Sequence, residues 1–388
     1  TADIADDQVT IAKLNATGTA SSTTFLRGDG SFAAAGQGKT RNLIINGSFN
    51  VAQRGTARSA TTQGAGYATA DRWKNQWNHL GVTATETVTA LATSDSPYAE
   101  GHRKYLRFAL TGAGTAASNS YIELNHIIES QNIATSGWNY TSSTNYVTLQ
   151  FWFRCSTNQT FYAHLQSNDT TVQDYTFSFT ASGNNTWTKI THTIPGNSNL
   201  VFNNDNGYGL TVRIIPFYGT GYTNNKTLNQ WAAHSGSNYT PDMATTWLTA
   251  GASTFDIAAV QLEVGSNATD FEHRELGQEL FLCERYYYRT VNDGATTNLL
   301  GLTIESSTLA AGGQPHPTRM RAVPTISFGS GVRIYSPATS TVTFSLSQNR
   351  CGSSQLSASL NMSGGTAGQS GSPFQNAGDA YIEVDAEL

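Results

Sequence analysis

Charge is scarce in this chain: Asp, Glu, Lys and Arg supply 13% of its 388 residues, about half of the roughly 25% of an ordinary soluble domain. The net charge is −5 and the Lys and Arg residues are scattered singly. That excludes a basic stripe able to neutralise phosphates, so nucleic acid is not expected as a partner. Cysteine is equally sparse. Cys155, Cys283 and Cys351 are odd in number and far apart, which excludes a disulfide framework and a closely spaced thiolate site and leaves reduced, structural thiols. No apolar run approaches the roughly 18 residues of a membrane helix, and no charged-then-apolar leader opens the chain; no membrane insertion is expected. The chain opens on Thr1, not Met, which suggests a processed or truncated product. The eight histidines include no His-Glu-x-x-His, no Gly-x-Ser-x-Gly elbow occurs, and no rung repeat of a parallel β-helix is visible. We therefore expect no enzyme, no catalytic residue, no metal and no cofactor.

Thr, Ser, Asn and Gly fill the space left by charge, and 11% of the residues are aromatic. Large rings bury enough surface to offset the entropy of ordering a polar backbone, so the chain folds, and its many turn formers point to short strands. Its length suggests about two or three domains. In residues 1–39 the apolar side chains Ile4, Val9, Ile11, Leu14, Phe25, Leu26 and Phe32 are separated by small and polar ones. So short a stretch cannot make a core alone, and copies around a threefold axis are the simplest way to bury it. Asp29-Gly30 reads as a tight turn, which makes Arg27-Gly28-Asp29 a turn and not an adhesion tripeptide. Ala33 to Thr40 satisfies a loose phosphate-loop pattern, but strand-like residues follow it where a helix is required.

Residues 40–272 read as repeated strands. Tyr146 to Cys155 alternates strictly, with Val147, Leu149, Phe151, Phe153 and Cys155 on one face and Thr148, Gln150, Trp152 and Arg154 on the other. Phe161, Ala163 and Leu165 oppose Tyr162, His164 and Gln166 in the same way. If these two strands pair, Gln150, Trp152, Arg154, Tyr162, His164 and Gln166 share one sheet surface. Rings that stack on sugar C–H faces, beside groups that donate and accept hydrogen bonds, make this set the candidate ligand site. Trp73 and Trp77 read as core or interface anchors. Further runs at Tyr175 to Phe179, Thr186 to Ile194, Leu210 to Phe217 and Thr254 to Val264 suit a β-sandwich or jelly roll. Leu276, Leu280, Cys283 and Tyr287 recur at helical spacing, which predicts a short amphipathic helix within 273–285. Residues 286–388 carry strands near 299–305, 325–328, 332–335, 341–346, 355–360 and 381–386, and the Gly- and Ser-rich stretch Ser363 to Gly378 reads as a mobile surface loop.

Several of these stretches resemble known families. Asp6-Asp7-Gln8-Val9-Thr10-Ile11-Ala12-Lys13-Leu14 and Thr24-Phe25-Leu26-Arg27-Gly28-Asp29-Gly30-Ser31-Phe32 resemble shaft linkers of bacteriophage tail fibres. Val260 to Gly265, Phe271-Glu272-His273-Arg274, Glu279 to Tyr287, and the Pro317-Thr318-Arg319-Met320-Arg321-Ala322-Val323-Pro324 text are similar to tail fibre and appendage proteins. Asn42 to Phe49, which opens the second block, and Phe255 to Glu263, which closes it, resemble the ends of jelly-roll carbohydrate-binding modules. In that family paired aspartates in the closing strand help to hold a structural calcium; here Ala258-Ala259 stands in their place, and Asn50 stands where an acid is common. These resemblances imply an all-β homotrimeric fibre: an N-terminal trimeric linker (1–39), a large jelly-roll β-sandwich (40–272), a connecting helix (273–285) and a C-terminal β-sandwich tip (286–388). They imply a virion protein, assembled in the host cytoplasm, that meets other tail proteins through its N-terminal end and a bacterial surface glycan elsewhere. A purely structural spacer and a polysaccharide depolymerase are the alternatives.

Overall fold

In a computed structural model of the chain, the described residues are 41–291, 301–329, 332–336, 339–342, 345–363, 365–375 and 381–388, with the backbone of two short strands, Thr24–Leu26 and Phe32–Ala34. Those two strands pair antiparallel within a compact unit, Thr1–Arg41. The stretch Asp6 to Leu14, the Arg27-Gly28-Asp29 turn and Lys39-Thr40 lie outside the described residues.

The second unit, Asn42–Leu388, begins with a two-sheet sandwich. Its eight central strands are β1 (Lys104–Leu110), β2 (Tyr121–Glu129), β3 (Tyr146–Cys155), β4 (Phe161–Ser167), β5 (Gln173–Phe179), β6 (Thr188–Pro195), β7 (Tyr208–Tyr218) and β8 (Thr254–Val264). One sheet runs β1-β8-β3-β6, extended beyond β1 by Ala84–Ala90 and Ala57–Ala60; the other runs β2-β7-β4-β5, extended by Gln76–Asn78 and Gln63–Gly64 at one edge and Trp231–Ala233 at the other. All pairs are antiparallel. This order, in which successive strands repeatedly change sheet, is that of a jelly roll.

The alternation in β3 is realised as expected. Val147, Leu149, Phe151, Phe153 and Cys155 are all fully buried in the core between the sheets. There Phe153 sits 5.4 Å from Phe161, 5.0 Å from Phe179 and 4.7 Å from Phe255 between ring centroids, a cluster of mostly edge-to-face contacts. Trp73 and Trp77 are buried anchors, as expected. The two stretches that resemble module ends meet in space. Leu43 N–H donates to Leu262 O at 2.8 Å, Val260 N–H donates to Gly47 O at 2.9 Å, and the Asn42 amide bridges Val260 and Leu262. Gly47 is required here because a Cβ would lie 2.0 Å from Val260 O.

The Gly-rich stretch read as a loop differs from expectation: Ser370–Gln375 is a strand that pairs with Val332–Ser336 and Leu302–Ser306. Ser and Gly disfavour strands locally, and pairing on both sides overrides that weak preference. It belongs to a seven-stranded sheet that also contains Thr339–Val342, Leu309–Pro315, Gln355–Asn361 and Ser345–Asn349. A three-stranded sheet of Tyr287–Val291, Tyr381–Asp385 and Thr325–Phe328 lies against it. Tyr288, Ile326, Ile382 and Val384 from the small sheet share one core with Leu302, Ile304, Ala310, Leu356 and Leu360 from the large one.

The helix Leu276–Glu284 forms, and its expected inner face holds at Leu280, Cys283 and Tyr287 but not at its first position. Leu276 is 63% exposed, while Cys283 packs with Ile45, Val51, Ile127, Tyr286 and Leu388. Glu279 turns inward to accept a hydrogen bond from Asn46 N–H, so a polar contact orients the helix. Around this small core, ions join the sandwich to the C-terminal sheets. Arg72, fully buried, pairs with Glu387 and lies 3.4 Å from the ring centroid of Tyr286. Arg54 pairs with Asp385 at 2.9 Å over Tyr287, and Arg285 pairs with Glu129 at 2.9 Å.

Candidate functional site

The six residues expected to share one surface are divided between the two faces of the sandwich. β3 and β4 do not pair: β3 lies between β8 and β6, whereas β4 lies between β7 and β5. The connection of five residues, 156–160, crosses from one sheet to the other, which lets Phe153 and Phe161 both enter the core. Gln150, Trp152 and Arg154 therefore face outward on one side, and Tyr162, His164 and Gln166 on the other.

On the β4 side all three expected residues are buried, at 7%, 0% and 6% exposure for Tyr162, His164 and Gln166. They lie in a polar layer with residues of the segment that follows β7. His164 Nδ1 is 3.0 Å from Thr176 Oγ1 and its Nε2 is 3.4 Å from Asp174 Oδ1. Asp174 Oδ2 also meets His234 Nδ1 at 2.9 Å and Lys226 Nζ at 3.6 Å, and Gln166 Nε2 lies 3.0 Å from the same His234 nitrogen. Burial holds His164 down at about 4. Burial also opposes ionisation of Asp174, but its contacts with His164 and then His234 prevail and hold it at about 2. Groups so enclosed build a wall; they do not face solvent.

The accessible part of this face lies next to that wall, on residues the sequence reading did not select. Tyr121, Tyr222 and Tyr239 are half-buried and linked through the buried Tyr218: Tyr121 to Tyr222 at 5.7 Å, Tyr222 to Tyr218 at 5.5 Å, Tyr218 to Tyr239 at 5.5 Å. Glu123 is the hub beneath them. It accepts hydrogen bonds from Tyr218 Oη at 2.7 Å, Asn125 Nδ2 at 2.8 Å and Gln76 Nε2 at 3.4 Å, and Arg213 Nε lies 3.6 Å away. Arg213 also lies 5.7 Å from the Tyr239 ring, and its buried Nη1 has no hydrogen-bond partner in the structure. The strip thus combines ring faces with donors and acceptors already held in place. Such a surface can stack on the C–H faces of sugar rings and bond their hydroxyls with little reorganisation. Part of it was open to the same period-two reading: Tyr121, Glu123 and Asn125 alternate with the core residues Ile122 and Leu124, and Arg213 stands between Val212 and Ile214. Tyr222 and Tyr239, in the irregular segment after β7, carry no such signal.

On the opposite face Gln150 is buried, its Nε2 donating to Thr269 O at 2.6 Å. Trp152 and Arg154 are half-buried beneath the loop 91–103. Trp152 Nε1 donates to Glu100 at 3.0 Å, and Arg154 pairs with Asp256 at 2.9 Å and Asp95 at 3.2 Å. Where the resembling family carries calcium-holding acids, Ala258 and Ala259 form part of an irregular step in β8, Ala259 with φ 54°. Among the described residues no group of three or more His, Cys, Asp or Glu side chains is placed to hold a metal ion.

Strand order, a core between two sheets and a ring-lined outer face together define a jelly-roll protein with a surface suited to a polar ligand. No family model matches the chain, and no curated protein matches it. Solved structures do align with it. One, described as "CBM4 structure and function", is 14% identical and covers 57% of this chain and 99% of its own, with a TM-score of 0.28. A family 11 carbohydrate-binding module from Clostridium thermocellum, solved with a mixed-linked tetrasaccharide, is 9% identical over 55% of this chain and 99% of its own, at 0.26. The enzymatically active domain of tailspike protein 4 from bacteriophage CBA120 is 11% identical over 58% of this chain but only 21% of that one, at 0.28.

Proposed function

We propose that this chain is a bacteriophage tail-fibre protein that adsorbs to a bacterial surface glycan through the tyrosine strip of its jelly roll, by binding and not by cleavage. The observation that carries the glycan part is the strip itself: Tyr121, Tyr222 and Tyr239 beside the Glu123 hub and Arg213, with their side chains mutually restrained. The phage part rests on the tail-fibre text at residues 6–14, 24–32, 260–287 and 317–324. In this reading the protein acts as a homotrimer in the virion, joined to other tail proteins by its N-terminal end. Three weak sites then act as one, because the second and third contacts are effectively intramolecular.

The test is binding of labelled protein to host cells, with free surface polysaccharide as competitor and release of sugar fragments followed in parallel. Saturable, competed binding without fragments, weakened about tenfold or more in Tyr222→Ala, is the expected result. Fragment release would make the protein a depolymerase, and absence of binding would leave a spacer.

A further inference from the structure

Six of the seven tryptophans are buried, at 0–9% exposure, and Trp152 is the exception. It stands on β3, on the face opposite the tyrosine strip, with one edge packed near Leu91, Tyr98, Tyr105, Trp187 and Ala258. We infer that Trp152 is the platform of a second saccharide site, separate from the tyrosine strip, and that this site takes an uncharged sugar ring.

The polar groups around the indole are already fixed. Glu100 accepts from Trp152 Nε1 at 3.0 Å and is clamped by Lys189, whose ammonium lies 3.0 and 3.1 Å from its two oxygens. Lys189 Nζ also lies 5.7 Å from the Trp152 ring centroid, close enough to reach a hydroxyl of a ring laid against the indole. Glu100 and Lys189 are each more than a third exposed, so each keeps free hydrogen-bonding capacity toward solvent. On the next pleat Arg154 lies over Trp187 at 4.4 Å, and Arg154 and Arg107 both bind the fully buried Asp256. The loop that frames the indole is tied down at its base, with Leu91 N–H on Arg103 O at 2.9 Å, and by His273 on Glu100 O at 2.9 Å. A sugar would therefore meet donors and acceptors that lose little freedom on binding.

Charge decides the class of ligand. Lys189, Arg154 and Arg107 are matched by Glu100, Asp95 and Asp256, three cations against three carboxylates, each in a direct pair. Arg103, on the same loop, lies over Tyr98. An acidic sugar laid on the indole would have to displace Glu100 from Lys189 or sit beside it, and like charges in contact are unfavourable. A neutral ring needs neither: its C–H face covers the accessible part of the half-buried indole while its hydroxyls bond Glu100 and Lys189.

The experiment titrates the full chain with cellotetraose, laminaritetraose and chitotetraose as neutral probes and tetragalacturonate as the acidic one, by tryptophan fluorescence and calorimetry. The wild type, Trp152→Ala, Glu100→Gln and Tyr222→Ala are compared. At least one neutral probe should quench fluorescence saturably, with little change on adding salt. The quench should persist in Tyr222→Ala, vanish in Trp152→Ala, and weaken about tenfold in Glu100→Gln. Glu100→Gln keeps the indole and the side-chain shape, so its effect does not depend on Trp152→Ala folding normally. The inference is overturned if no neutral probe quenches, if tetragalacturonate alone does, or if calorimetry gives Trp152→Ala the wild-type affinity and stoichiometry. Calorimetric binding lost in Tyr222→Ala but unchanged in Trp152→Ala would remove this second site and leave the strip. The reverse pattern would remove the strip and leave this site.

Discussion

Glu387→Gln tests how the sandwich and the C-terminal sheets are held together. Glu387 is 4% exposed and pairs with Arg72, whose side chain is fully buried, and with Arg54 Nη1 at 3.4 Å. Burial opposes the charge on Arg72, and Glu387, with smaller help from Tyr286, Tyr67 and Cys283, more than offsets it, so the guanidinium stays protonated. Its other contacts, among them Ile127 O at 2.6 Å, the Tyr286 ring and the Tyr67 hydroxyl, are neutral. The amide keeps the shape of the carboxylate but removes its charge and leaves a buried cation without a counter-ion, at a cost of about 3–5 kcal/mol. The backbone at Arg72 is left-handed, with φ 70°, a conformation that costs a bulky residue about 1 kcal/mol or more and persists only while its surroundings impose it. With a urea m-value of about 3 kcal/mol/M or somewhat more for a unit of this size, the unfolding midpoint should fall by about 1 M. The double variant Arg72→Met, Glu387→Leu removes both charges and should recover most of that loss, because an apolar pair of similar volume is often as stable as a buried ion pair. Equilibrium unfolding followed by tryptophan fluorescence measures both. An unchanged midpoint in Glu387→Gln, or a double variant as unstable as the single one, would refute the reasoning.

Phe153→Ala empties a site ringed by Phe161, Phe179 and Phe255 and should cost about 3–5 kcal/mol, read from the same unfolding curves. Gly47→Ala places a methyl group 2.0 Å from Val260 O; we expect a loss of about 2 kcal/mol or more, and a wild-type midpoint would show that this backbone contact yields easily. Stability should also fall with pH. His102 and His164 are held at about 4, burial being the main cause for both. Both folded values lie below the ordinary 6.5, so the unfolded chain binds protons first as pH falls from 6.5 toward 4, and each residue removes about 3 kcal/mol over that window. Asp174, held at about 2, keeps its stabilising charge until below about pH 4. Thermal unfolding between pH 7 and pH 4 tests this, with His164→Gln expected to flatten the slope.

Local periodicity made the strands legible. Two faces of β3 follow from strict alternation, because a strand turns successive side chains to opposite sides, and Val147 to Cys155 enter the core on that basis alone. The absence of an ordinary complement of charge and the abundance of turn formers likewise determined an all-β chain. Periodicity does not say which sheet a strand joins. A hairpin and a crossover between sheets leave the same alternation in β3 and β4, so the six-residue surface was expected whole and is found divided between opposite faces. The same limit applies to Ser370–Gln375, whose local preference is for a loop and which is a strand because neighbours on both sides take its hydrogen bonds. The tyrosine strip draws on β2, β7 and the segment after β7, and the buried pair of Arg72 and Glu387 joins residues 315 apart. Contacts of that kind come from the packing of distant segments against one another, and only the tertiary structure decides them.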